Sequence, residues 1–306
     1  MKKLAITIIL LGNNLIMLIK KIRQKIRVTW ISSVIFLLKN ISKIQGREAV
    51  FEFSEFTWDM VRGLPKAYYY EKNNIDYNLF IKSGLKGTYF FSKNIFEIKL
   101  FNNLNSKETY NREKPSFTNA NWLPPPLELI FRNNDYNFKK EVVVIQNKYS
   151  VEWNEKPYNF FDLSTLKNLF RVLTKKYDVV YIRPESSIKK GYFQDDNEIL
   201  NFEDYKLIEE KFPNVFTLRN FLNKENDFNI TQFKLHSNSL KHICVSGGNA
   251  CIASYFKGEV LIYDSPEGIK REIWDSNSWL SELSGSKING FNDKDKLLKF
   301  VIKNWT

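Results

Sequence analysis

The second half of the chain alternates continuous apolar runs with amphipathic segments. Residues 141–149 (EVVVIQNKY) and 178–184 (DVVYIRP) predict strands that are buried on both faces of a parallel sheet. Between them, residues 162–177 carry leucines at helical spacing after Asp162, a capping residue type, and predict a helix. The remaining predicted elements are a helix at 202–212, a strand at 214–222, a helix or loop at 230–240, a strand, short helix and second strand within 242–266, and helices at 270–283 and 293–305. This order predicts a doubly wound α/β domain whose ligand crevice lies at the carboxyl ends of the strands.

The first half is less regular. Residues 51–70 predict a helix that ends near Arg62 and Gly63, because glycine and the following Pro65 terminate helices readily. Residues 87–92 (GTYFFS) predict a short strand, and the polar stretch 102–121 predicts an exposed loop. The three prolines within residues 121–131 (NWLPPPLELIF) predict an extended connector between two domains. We therefore predict an N-terminal domain at 46–125, joined by a basic and apolar helical segment at 1–45, and a C-terminal domain at 126–306.

The segment 1–45 contains two apolar stretches, 4–19 and 28–38, on either side of a basic run made of Lys20, Lys21, Arg23, Lys25 and Arg27. The first stretch is slightly short and interrupted for a transmembrane helix, and it lacks the small-residue cleavage site of a signal peptide. Three interpretations stay open: helices that pack on the core of the first domain, peripheral contact with an anionic membrane surface, and a true span.

Composition narrows the chemistry. The 46 Lys and Arg against 34 Asp and Glu give a net charge of +12, which favours anionic partners, although abundant Asn, Lys, Ile and Phe indicate a general compositional drift equally well. Two cysteines, Cys244 and Cys251, and two histidines provide neither a disulfide framework nor a four-ligand zinc site. We expect a reducing, cytoplasmic protein without a metal site.

A glycine pair follows the strand predicted from His242. In Ser246-Gly247-Gly248-Asn249, the turn between strand and helix presents backbone N–H groups without side-chain obstruction, at the positive end of the helix dipole. Such a turn is typical of sites that bind a diphosphate. The chain has neither a GxGxxG fingerprint at this position nor a GxxxxGK[ST] loop. A tight turn capped by Ser246 or Asn249 is the alternative.

Residues 245–268 (VSGGNACIASYFKGEVLIYDSPEG) resemble the donor-sugar-binding segment of GT-B glycosyltransferases. The shared features are a strand, the glycine pair, a short helix rich in Ala and Ser, Gly258 before the next strand, and the acidic Glu267 after it. Where a loop rich in proline or glycine is often found, this chain has residues 263–266 (YDSP). The resemblance implies that Gly247, Gly248 and Asn249 face the donor diphosphate and that Glu267 holds the ribose. It also implies a GT-B-like α/β fold of two Rossmann-like domains, the C-terminal one doubly wound and the N-terminal one less regular.

Other polar residues follow neighbouring strands of the same predicted sheet. Asn147 and Lys148 follow the first strand, and Arg183 and Glu185 follow the next, so all four are predicted at the crevice. Lys148 is a candidate for neutralising diphosphate charge, with a solvated surface lysine as the alternative. Arg183 is a candidate bidentate phosphate ligand, with a structural salt bridge as the alternative.

An inverting transfer needs a general base, and the GT-B resemblance implies that it comes from the N-terminal side of the cleft; the acidic candidates are Glu55, Asp59 and Glu128. We select Asp59 and Glu128 as predicted catalytic residues. His242 begins an apolar strand and is predicted to have a hydrogen-bonded core role. The acidic pairs Asp195-Asp196 and Asp293/Asp295 suggest a metal, but an N-cap explains Asp293 without one.

Together with the resemblance, these observations predict a metal-independent glycosyltransferase that moves a sugar from a nucleotide-activated donor to a glycan or a lipid-linked acceptor. It would need no cofactor besides the donor, and would be cytoplasmic or peripheral on the inner face of a membrane. One alternative is a non-catalytic basic protein that binds nucleic acid or another polyanion; against it, the aromatic residues lie in apolar patterns and the positive charge looks dispersed. Another is a different α/β transferase, moving a pyruvyl or phosphoryl group on the same sheet.

Overall fold

The computed structural model describes residues 29–52, 56–99, 121–151, 156–185, 199–222, 227–266 and 278–306. The chain divides into two compact units, one containing residues up to Val50 with Ile75–Asn78, the other containing Phe51–Asn74 and Leu79–Thr306. In the first unit, residues 29–44 form helix α1. Asn78 donates hydrogen bonds to Ser42 Oγ (3.0 Å) and Gln45 Oε1 (2.9 Å), which fix the end of α1. The predicted boundary near residue 125 stays a prediction.

The N-terminal region contains a small sheet in the order β1-β2-β3, in which β2 and β3 are parallel. Its strands are β1 (Glu48–Glu52), β2 (Tyr77–Ile81) and β3 (Ile95–Glu97). Between β1 and β2 lie helix α2 (Phe56–Trp58), a π-helical segment (Asp59–Gly63) and helix α3 (Leu64–Lys72).

Two predictions for this region are wrong. The helix does not end near Gly63: the π-helical segment runs directly into α3, with Pro65 in its first turn, and the Met60 carbonyl accepts a hydrogen bond from Tyr255 Oη (2.6 Å). Residues 87–92 form turns instead of a strand, and the neighbouring strands β2 and β3 were not predicted. The proline connector is confirmed as irregular backbone over residues 122–126, and it leads into the short helix α4 (Leu127–Ile130).

The C-terminal region is built on a six-stranded parallel sheet in the order β6-β5-β4-β7-β8-β9. Its strands are β4 (Val142–Gln146), β5 (Asp178–Ile182), β6 (Val215–Thr217), β7 (Ser239–Val245), β8 (Glu259–Tyr263) and β9 (Lys287–Phe291). Counted from β4, this is the order 3-2-1-4-5-6 of doubly wound nucleotide-binding sheets. The edge strand β9 was missed, because KINGF is only partly buried and contains a glycine.

Helices cover both faces of this sheet. They are α5 (Leu163–Leu173), α6 (Asp204–Lys211), α7 (Phe228–His236), α8 (Gly248–Ser254) and α9 (Lys294–Asn304). Val143 and Ile145 of β4 pack into a core with α5, α6 and α9, whereas Val142 and Val144 pack on the opposite face with α7. This confirms the doubly wound α/β fold. Among the described residues, no helix has the length and apolarity needed to cross a membrane.

The strand order creates one point where neighbouring connections leave the sheet in opposite directions. The chain moves outward from β4 to β5 and β6 on one side, then returns to β7 and moves through β8 and β9 on the other. In open α/β sheets ligands bind at the carboxyl edge beside such a point, and the region between the ends of β4 and β7 is called the crevice below.

Candidate functional site

The crevice at the carboxyl ends of β4 and β7 brings together residues that are distant in sequence. Lys148 follows β4, and Gly247 follows β7. A Cβ atom added at Gly247 would lie 3.8 Å from Lys148 Nζ and 4.0 Å from Thr57 Oγ1 of α2. The lysine and the glycine turn were both predicted at the crevice, and the structure places them side by side.

Glycine is favoured at the two positions of the pair for different physical reasons. Gly247 has φ 105° and ψ −146°, a backbone conformation that is essentially restricted to glycine. A Cβ at Gly248 would lie 2.6 Å from Phe56 Cδ1, so this glycine lets α2 approach α8. Gly247 is the N-cap of α8, and no side chain makes a capping hydrogen bond at this helix end. The alternative of a cap by Ser246 or Asn249 is therefore wrong. Since α8 has only seven residues, its dipole is a minor contribution to anion binding at this crevice.

Ser246 joins the loops after three neighbouring strands. Its Oγ donates to Asp264 Oδ1 after β8 (2.6 Å) and accepts from Asn159 Nδ2 in the loop after β4 (2.6 Å). Asn159 Nδ2 also donates to the Ser246 carbonyl (3.1 Å). The buried Ser246 side chain therefore holds the walls of the crevice in place.

Asn147 is buried and serves the same structural purpose. Its Oδ1 accepts from Phe161 N (2.9 Å), and its Nδ2 donates to Phe161 O (3.0 Å) and Tyr181 Oη (3.1 Å). Both amide hydrogens are therefore used within the protein, which makes Asn147 a residue that shapes the loop after β4.

Arg183 forms a buried ion pair, which is the structural salt bridge given above as the alternative to a phosphate ligand. Its Nη2 donates to Asp204 Oδ1 (2.8 Å), its Nε donates to Asp204 Oδ2, and the guanidinium lies over the Tyr205 ring. Burial alone would lower the pKa of Arg183, but the hydrogen bonds and charge of Asp204 raise it above its ordinary value. Glu185 is paired with Arg219. Arg183 and Glu185 are therefore engaged in ion pairs and add no positive charge to the crevice.

The predicted catalytic residues lie apart from one another. Asp59 begins the π-helical segment, two residues after Thr57, and has 0% exposure, so a substrate in solution does not reach it in this conformation. Glu128 pairs with Arg132 (3.0 Å) and with Lys257 (3.7 Å), and Lys257 follows the end of α8 that is opposite the glycine turn. Glu55 and Glu267 lie outside the described residues.

Sequence reasoning missed two features of the N-terminal region. Phe56 and Thr57 border the glycine turn, although nothing in the sequence connects them with a turn about 190 residues later. Glu52, at the end of β1, is 3% exposed, and burial raises its pKa to about 7 against the opposing charges of Lys66 and Arg62. It packs against Gly63, where an added Cβ would lie 2.9 Å from Glu52 Cδ.

Asp293 and His242 have structural roles. Asp293 caps α9 by accepting from Asp295 N (2.8 Å) and Lys296 N (3.1 Å), as expected of an N-cap. His242 is buried, with its Nδ1 3.2 Å from His236 Nδ1, which confirms the core role; burial lowers its pKa to about 4. In the part of the chain that is described, no group of three or more His, Cys, Asp or Glu is arranged to hold a metal ion. Asp195 and Asp196 lie outside the described ranges.

A cavity of about 390 Å³ lies at the same edge of the sheet, beside the end of β8. Its lining includes Tyr263 and Ser265 together with the first residues of α5 and α9. Lys294 crosses this region and donates to Asp162 Oδ2 (2.8 Å), the N-cap of α5, so its charge is already balanced. The cavity adds polar volume next to the crevice but no further cation.

The crevice formed by Lys148, Gly247, Gly248 and Thr57 is therefore the candidate site, with Ser246 and Asn147 as its framework. Asn249, in the first turn of α8, adds a buried Nδ2 that has no hydrogen-bond partner among the described residues. Comparison of the chain with protein-family models, curated proteins and solved structures found no match.

Proposed function

We propose that this protein is a glycosyltransferase of GT-B-like arrangement that takes a sugar from a nucleotide-activated donor, whose diphosphate occupies the crevice at Gly247 and Gly248. The observation that carries the proposal is the meeting of Lys148 with the glycine turn at the switch point of a 3-2-1-4-5-6 sheet. Ligands of doubly wound sheets bind at this point. The resemblance of residues 245–268 to a donor-binding segment supports a nucleotide-sugar over other ligands.

The chemistry of sugar transfer fits the residues of the crevice. Displacement at the anomeric carbon leaves a nucleoside diphosphate, and the charge that develops on it must be stabilised as the bond breaks. The Lys148 ammonium supplies positive charge, and the turn at Gly247 exposes backbone without a side chain between it and a phosphate. Thr57 Oγ1 is a hydroxyl donor on the other side of the same turn.

The acceptor in this proposal is a glycan or a lipid-linked glycan, and Asp59 is the proposed proton acceptor. Asp59 belongs to the segment that begins with α2, so a shift of that segment would change its exposure together with the crevice. Replacing Asp59 by Asn should abolish transfer while leaving donor binding in place. Loss of donor binding together with transfer would assign Asp59 a structural role instead.

The donor site is tested by calorimetric titration of the full chain with a panel of uridine, guanosine, thymidine and cytidine sugar nucleotides. We expect one donor class to bind, and Lys148→Gln to weaken that binding by about 10–100-fold, the value of a hydrogen bond to a charged group. Lys175→Gln is the matched control, because Lys175 is exposed and lies between α5 and β5 at the opposite edge of the sheet. Gly248 is a poor test position, since a side chain there would collide with Phe56 and disturb folding.

The other functions considered have distinct outcomes in the same experiment. Absence of binding by every sugar nucleotide, or equal binding by both lysine variants, would refute the donor site. Tight binding of nucleotides whose sugar is irrelevant would favour a different α/β transferase. Salt-sensitive retention of single-stranded nucleic acid, with no nucleotide-sugar binding, would favour the polyanion-binding alternative.

A further inference from the structure

The net positive charge of the protein is concentrated in its first 47 residues. Ten of the 46 Lys and Arg residues lie within residues 1–47, and none of the 34 Asp and Glu do. This stretch therefore contributes ten of the twelve net charges, and the rest of the chain is close to neutral. The Lys and Arg residues themselves are spread along the chain, but their charge is left unbalanced mainly in this stretch.

Helix α1 lies in this basic stretch and has a buried side and an exposed apolar face. The buried side contains Ile31, which is 3% exposed, and Ser42, which is 0% exposed. The second face is a row at helical spacing of seven, four and three residues, and its members are exposed by 54%, 57%, 41% and 86%: Trp30, Leu37, Ile41 and Ile44. Four large apolar side chains in one exposed row form a contiguous patch of the kind that marks an interaction surface.

We propose that this row, Trp30, Leu37, Ile41 and Ile44, docks on an anionic lipid surface. The occupant is argued from charge complementarity, because the basic run from Lys20 to Arg27 directly precedes α1 in sequence and no acidic residue opposes it. Apolar side chains enter the boundary between headgroups and acyl chains while cations attract anionic headgroups, and tryptophan is enriched at that boundary. Nucleic acid would use the cations and leave the apolar row without a function.

The test is co-sedimentation of the full chain with vesicles of phosphatidylcholine alone and of phosphatidylcholine with about one third phosphatidylserine. We expect binding to the anionic vesicles and weak binding to the neutral ones. Leu37→Glu should lower the partition coefficient by about tenfold or more, because it removes an apolar group from the lipid and adds a charge. Ser32→Glu is the matched control: it adds the same charge at another exposed position of α1, outside the row, and should reduce binding only a few-fold.

The variants also separate the alternatives. Both positions are exposed, so circular dichroism should show the same melting curve for both variants; if Leu37→Glu unfolds, Ile44→Glu replaces it, since Ile44 is the most exposed member of the row. Equal loss of binding in Leu37→Glu and Ser32→Glu would mean that charge alone holds the protein, and would overturn the apolar docking face. No binding to anionic vesicles, or a wild-type oligomer that Leu37→Glu converts to a monomer, would overturn the membrane assignment in favour of a protein contact.

Discussion

Glu52 makes the stability of the protein depend on pH in a way that one substitution removes. The folded state raises the pKa of this buried carboxyl from 4.5 to about 7, so the folded protein keeps the proton after the unfolded chain has lost it. Stability from this group is fully present below pH 4.5 and declines as the pH rises toward 7, with no further loss above that. At about 1.36 kcal/mol for each unit of pKa, the whole decline is about 3 kcal/mol, and most of it falls between pH 5 and 8.

Glu52→Gln removes this titration while preserving the size of the side chain. The free energy of unfolding of the variant, relative to that of the wild-type protein, should therefore rise by about 2–3 kcal/mol between pH 5 and pH 8. Urea unfolding followed by tryptophan fluorescence at several pH values measures this difference, and contributions from the buried histidines cancel in it. Glu48→Gln, at an exposed position of the same strand, is the control. A Glu52→Gln curve parallel to the wild-type curve would refute the buried, protonated carboxyl.

Two further substitutions test the interpretation of the site. Gly247→Ala should lower the free energy of unfolding by about 1–3 kcal/mol through backbone strain alone, since no atom lies closer than 3.8 Å to the added Cβ; thermal unfolding without ligand checks this, and an unchanged midpoint would contradict the positive φ. Arg183→Met should cost about 3–5 kcal/mol because it leaves the Asp204 carboxylate buried without its partner. Adding Asp204→Leu to this variant should recover part of that loss in urea unfolding, because no unpaired carboxylate is then buried, although Tyr181 Oη loses its acceptor. A ligand-binding role for Arg183 predicts little loss of stability and no recovery.

Much of the C-terminal sheet was predictable from local pattern. The runs from Val142 to Ile145 and from Val179 to Ile182 are continuously apolar because both faces of each strand are covered, and this leaves a signal in the sequence itself. The caps Asp162 and Asp293 were predictable for a similar reason, since a capping carboxylate bonds to backbone only a few residues away.

Predictions failed where distant residues determine the outcome. The helical run continues through Gly63, and Glu52 and Tyr89, from other parts of the chain, fill the space that a side chain at this position would take. From the sequence, Arg183 was a reasonable candidate for a phosphate ligand. In the folded protein it is paired with Asp204, which lies 21 residues later in the chain. Phe56 and Thr57 lie about 190 residues before the glycine turn, so their place in the site had no local signal.

The sequence by itself determined that buried strands lie within residues 141–149 and from His242 onward, and that a glycine pair follows the second one, because these properties depend on side chains that are neighbours along the chain. Only the tertiary structure decided that these two strands lie next to each other, that a crevice opens between their ends, and that Lys148 lies in it while Arg183 and Asn147 do not. The physical reason is that strand order and ion-pair choice are set by packing and charge balance among segments distant in sequence, and those energies are absent from any single stretch of the chain.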